Sequence, residues 1–102
     1  MGSLPTYRHL ANRDRRVEVN IWAGARQPGE QSYLTVRVRN ISASGCKIEC
    51  MAPLDPALPV IVRFEEFGER KAKIMWSKVG GYGCKFDQKL PESVVGKLAG
   101  NG

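Results

Sequence analysis

Apolar and polar residues alternate along most of this chain. Val17, Val19, Ile21 and Ala23 fall on one face of a segment whose other face carries Glu18, Asn20, Trp22 and Gly24. A period of two predicts a strand with one buried side. Gln27-Pro28-Gly29-Glu30 follows with turn-forming residues. Leu34, Val36 and Val38 then alternate with Thr35, Arg37 and Arg39, the most regular of the predicted strands. After the polar turn Asn40-Ile41-Ser42-Ala43-Ser44-Gly45 the alternation returns, with Cys46, Ile48 and Cys50 inward and Lys47 and Glu49 outward.

Pro53, Pro56 and Pro59 mark a stiff connection that cannot join a sheet ladder. Val60, Val62 and Phe64 predict a fourth strand, and Glu66-Phe67-Gly68-Glu69 a hairpin turn. Ala72, Ile74 and Trp76 form the expected inner face of a fifth. Gly80-Gly81 then leads into Tyr82, Cys84 and Phe86 of a sixth. Trp22, opposite the inward set, is assigned to barrel-end packing or to a partner surface. Short strands at this spacing, joined by Gly and Pro, predict an all-β barrel or sandwich. A closed barrel is favoured because it leaves no unpaired edge in so small a domain. Pro91-Glu92, with Val94, Val95 and Leu98 behind them, predicts a short C-terminal helix that Gly96 weakens and that frays near Gly100.

With 102 residues the chain has room for one domain and one modest core. The expected organisation is a flexible basic N-terminal arm over residues 1–15, the barrel with its helix over 16–99, and a tail over 100–102. Apolar runs such as Pro59-Val60-Ile61-Val62 are too short to cross a bilayer, and no apolar signal-peptide core precedes the first arginines. The odd count of 3 cysteines fits a reducing compartment, so a cytoplasmic location is expected. Cys46, Cys50 and Cys84 are read as small core residues. The single histidine, His9, stands apart from them, and no paired C-x-x-C exists to hold a metal. There is no phosphate loop, and no nucleophile has an evident histidine partner, so an enzyme is not expected.

The net charge of +6 is unevenly placed. Arg8, Arg13, Arg15 and Arg16 crowd the amino end against Asp14 alone. Arg70, Lys71, Lys73 and Lys78 form a second group along a predicted hairpin. Such a distribution favours an anionic partner without choosing among nucleotide, nucleic acid and acidic protein.

Asn40-Ile41-Ser42-Ala43-Ser44-Gly45 matches the D/N-x-S-x-x-G signature of PilZ domains, at the junction of two strands. An arginine-rich arm, Asn12-Arg13-Asp14-Arg15-Arg16, runs directly into the first valine-rich strand. Trp76 and Gly83-Cys84-Lys85-Phe86 supply the closing elements. In order and spacing the chain resembles a PilZ domain over about residues 8 to 90. It departs from the family in its first motif, R-x-x-x-R: Arg16 fills the second position, but Asn12 stands at the first, with Arg13 one residue later.

The resemblance implies a six-stranded antiparallel PilZ-type β-barrel that receives the messenger cyclic di-GMP and alters its interaction surface for a downstream protein in bacterial signalling. No other cofactor is implied. The residues it singles out are Arg13 and Arg16 as guanine or phosphate clamps, with Arg15 as substitute. Asn40 and Ser42 serve as hydrogen-bonding groups, and Gly45 as the residue that keeps the approach tight and open. Trp76 is a stacking candidate, though its place in the Ala72, Ile74 pattern favours core packing.

Two other readings stand beside this one. A divergent PilZ domain that binds no nucleotide would act as a protein-interaction module, and Asn12 favours it. A small barrel binding single-stranded nucleic acid would need aromatic and basic residues interleaved along a groove, for which Trp22 and Tyr33 are the outward aromatics.

Overall fold

The computed structural model describes residues 16–101. All six predicted strands are present: β1 (Val17–Arg26), β2 (Leu34–Ile41), β3 (Gly45–Glu49), β4 (Val60–Phe64), β5 (Gly68–Lys78) and β6 (Gly81–Phe86). One helix, α1 (Glu92–Asn101), follows them. Every strand pair is antiparallel, and the order β1-β2-β3-β6-β5-β4 closes into a barrel where β4 pairs with β1. Hairpins account for four of the six pairings. The β3–β6 and β1–β4 contacts join strands distant in sequence and close the ring.

The inward residues are those that alternation selects. Val36, Val38, Ile48, Val60, Val62 and Ala72 are buried, and so are Cys46, Cys50 and Cys84, which fill core space as small apolar side chains. Phe64 stacks on Phe67 at 4.5 Å and meets Phe86 edge-on at 6.2 Å, closing one end of the core. The proline-containing connection crosses the barrel and is tied down by two side chains. The Gln27 amide donates to the Asp55 carbonyl at 2.8 Å and accepts the Asp55 N–H at 2.9 Å. The Leu54 N–H donates to the Tyr82 hydroxyl at 2.9 Å. These three bonds satisfy backbone groups that the prolines leave outside any ladder.

Pro91 caps α1: its carbonyl accepts from the Val94 and Val95 N–H groups at 3.0 and 3.3 Å. The helix lies against β1 and buries Val95 and Leu98. Among the described residues no helix is long and apolar enough to cross a membrane.

One strand face departs from the simple period of two. The β5–β6 register shifts between Ile74 and Trp76, so that Ile74 opposes Cys84 while Trp76 opposes the adjacent Gly83. The extra residue of a bulge reverses which side chains face inward. Trp76, expected in the inner set with Ala72 and Ile74, therefore lies outside the barrel, 39% exposed. Trp22 is also outside, as its position opposite Val19 and Ile21 requires, and is 62% exposed.

Candidate functional site

The polar corner between β2 and β3 is held by its own backbone. The Ser42 N–H donates to the Gly45 carbonyl at 2.8 Å, and the Ser42 hydroxyl reaches the same oxygen at 3.4 Å. Two further bonds fasten the corner to the sequence around β6: the Phe86 N–H donates to the Ser44 carbonyl and the Leu90 N–H to the Ala43 carbonyl, both at 2.7 Å. Gly45 opposes Lys85 on β6, and a β-carbon there would collide with the Cys84 carbonyl. Its role is close approach of two strands. Its backbone is not in the left-handed region.

Pairing of Val17 with Ile41 carries the start of β1 to this corner. Arg16, the residue before, donates from Nη1 to the Asn40 Oδ1 at 3.3 Å, bridging 24 residues of sequence. Arg16 and the Asn-Ser-Gly corner thus meet at one point on the barrel.

Between them lies an open cavity of about 320 Å³. Arg16 stands on one side, Lys85 and Trp76 on the other, and Gly45 and Gly83 form part of the floor. The bulge in β5 places the Trp76 indole directly over Gly83, where any β-carbon would overlap the ring nitrogen. Lys73 opposes Lys85 across β5 and β6. Like charges facing each other across a ladder are destabilising unless an anion joins them. Asp87 lines a neighbouring recess with this pair.

Below the cavity Cys46 and Cys84 face one another across β3 and β6. Their hydrogen bond, together with burial, pushes the Cys46 thiol well above the usual thiol range; the nearby Arg16 charge opposes this weakly. The same bond lowers Cys84, against the effect of its own burial. Among the described residues no cluster of His, Cys, Asp or Glu is placed to hold a metal ion.

Of the residues singled out in the sequence, the structure brings together Arg16, Asn40 and Gly45. It turns Ser42 inward, fully buried as a brace of the corner rather than a group facing the cavity. Arg13 and Arg15 lie outside the described residues. Lys85 and Gly83 were not singled out for the site, because only the pairing of β3 with β6 brings them beside Gly45.

A scan against protein-family models matches the PilZ domain over residues 11–99. The chain belongs to the PilZ domain family. The match takes in the basic segment ahead of β1, the corner from Asn40 to Gly45 and all six strands. PilZ domains form a family of cyclic di-GMP receptors and adaptors, binding modules rather than catalysts in general. No curated protein matches this PilZ domain in a search of the whole chain.

Proposed function

We propose that this PilZ domain is a cytoplasmic receptor for cyclic di-GMP and holds the dinucleotide in the cavity between Arg16, Gly45 and Trp76. The observation that carries this reading is the Arg16–Asn40 hydrogen bond, which sets a guanidinium beside the glycine-floored corner. Arg16 offers a planar fork that fits guanine O6 and N7 or a phosphate. Lys85 lines the same cavity as a point charge for the phosphates, with Lys73 opposite it on β5 at the neighbouring recess. Gly45 leaves the sheet bare, so a planar base can lie close to it, with Trp76, seated over Gly83, as the apolar wall. Asn40 orients Arg16 and offers a further hydrogen-bonding group, while Ser42 holds the turn.

Arg13 and Arg15 complete the clamp when the basic segment closes over the ligand. Each bidentate guanine contact is worth roughly 1 to 3 kcal/mol of discrimination against the wrong base. Ordering the segment costs about 1 to 2 kcal/mol per residue in backbone freedom. Two arginine contacts can be cancelled by fixing a few residues, so phosphate neutralisation must supply the surplus. The closed segment then presents a new surface to a downstream protein. Isothermal titration tests the reading: heat of binding is expected, and its absence at high micromolar protein overturns it.

A second reading is favoured by Asn12, which leaves the family's first arginine position uncharged. In that reading the domain binds no nucleotide and acts only through protein contacts. The variant N12R separates the two. Affinity that appears only in N12R assigns the natural chain to the non-binding kind.

A further inference from the structure

A second and larger cavity, about 520 Å³, lies farther along the same outer face. Strand register builds it. Trp22 pairs with Arg37, Arg37 with Glu49, Glu49 with Gly81 and Gly81 with Lys78, one continuous row across β1, β2, β3, β6 and β5. Because Gly81 contributes no side chain, the row sags at β6 into a groove walled by the two indoles. Trp76 belongs to both cavities and separates them.

The groove is basic and apolar at once. Arg37, Lys47 and Lys78 line it against the single carboxylate of Glu49, which is turned to Arg39 at 3.9 Å. Its rim carries two aliphatic side chains with no cover at all, Met51 at 101% and Val79 at 106% exposure. Bare aliphatic residues at the edge of a basic groove mark a contact surface.

We infer that this groove docks an acidic segment of a partner protein, with a bulky aliphatic or aromatic side chain of that segment seated between Met51 and Val79. Complementary charge would steer the segment, and the apolar rim would hold it. Two features disfavour other occupants. Arg37 sits over the Trp22 ring at 4.4 Å and Lys78 over the Trp76 ring at 5.6 Å, so each indole already has a cation over one face where a base would stack. A second copy meeting this face by two-fold symmetry would set Arg37, Lys47 and Lys78 against the same three cations. The docking does not require bound nucleotide, since the groove is complete without it.

The test is selection of a random twelve-residue peptide library on the immobilised full chain, without nucleotide, followed by titration of the enriched peptide. Acidic peptides centred on Leu, Ile or Phe are expected. Binding of the synthetic peptide should weaken at least tenfold in K78E and in V79D, both at exposed positions, with unchanged circular dichroism. Enriched peptides that are neutral or basic, or that bind K78E as well as the native chain, overturn the inference. So does a fifteen-residue oligothymidylate that binds more tightly than the peptide and is lost in W22A. A sedimenting dimer that V79D dissolves also overturns it, by assigning the groove to a second copy.

Discussion

Arg16, just ahead of β1, donates to the side-chain oxygen of Asn40, near the end of β2, at 3.3 Å. The pair is exposed, and exposed polar pairs contribute little to folding. Removing the guanidinium should therefore leave the barrel intact and act on the ligand. For R16A we expect a urea midpoint within about 0.5 kcal/mol of the native chain. Loss of one charge-assisted contact of about 1.5 to 3 kcal/mol should lower cyclic di-GMP affinity at least tenfold. Parallel unfolding and titration curves measure both.

Gly45 and Gly83 both lie beneath crowded atoms, but the atoms differ. A β-carbon on Gly45 meets the Cys84 backbone carbonyl, which cannot yield without disturbing the β3–β6 ladder. One on Gly83 meets only the Trp76 indole, which can swing outward. G45A should therefore cost about 1 to 3 kcal/mol of stability, and G83A clearly less. G83A should instead shift the tryptophan emission, because Trp76 leaves the sheet. Chemical unfolding followed by fluorescence distinguishes the two.

Gln27 offers a test of how the proline-containing connection is fixed. Its buried amide makes reciprocal bonds to the backbone of Asp55. In Q27A the Asp55 N–H and carbonyl lose that partner, a cost of about 1 to 3 kcal/mol. Faster hydrogen exchange at Asp55 and Leu58 should accompany the loss.

The cysteine pair gives a pH dependence. Above the ordinary thiol range, about 8.5, the unfolded chain has released a proton that folded Cys46 keeps. The unfolded state then binds fewer protons, so stability falls as pH rises. Below that range the lowered Cys84 acts in the opposite sense, and stability rises toward it. A maximum near the ordinary thiol range is expected from this pair, and C46A should flatten it. Urea midpoints at pH 7, 8.5 and 10 for the two proteins measure the difference.

Strands were legible because each has one wet and one dry face, which leaves a period of two in the residues themselves. The corner was legible for a different reason, its sequential Asn-Ser-Gly spacing. Trp76 was not. A bulge depends on how β5 meets β6, and nothing local in Ala72-Lys73-Ile74-Met75-Trp76 announces an inserted residue. Lys85 escaped for a related reason. It reaches the site only because β3 pairs with β6, a strand nearly forty residues away in sequence. Ser42 was placed at the right corner, but which way its hydroxyl turned depended on the Gly45 carbonyl opposite.

We propose that the Arg16–Gly45–Trp76 cavity receives a doubly anionic guanine dinucleotide. Amide and indole resonances followed during titration with cyclic di-GMP test it most directly. Saturable shifts are expected at Arg16, Asn40, Gly45, Gly83 and Lys85, together with the Trp76 indole N–H. Unmoved resonances there at saturating nucleotide, or shifts confined to β4 and the adjoining part of β1, would contradict it.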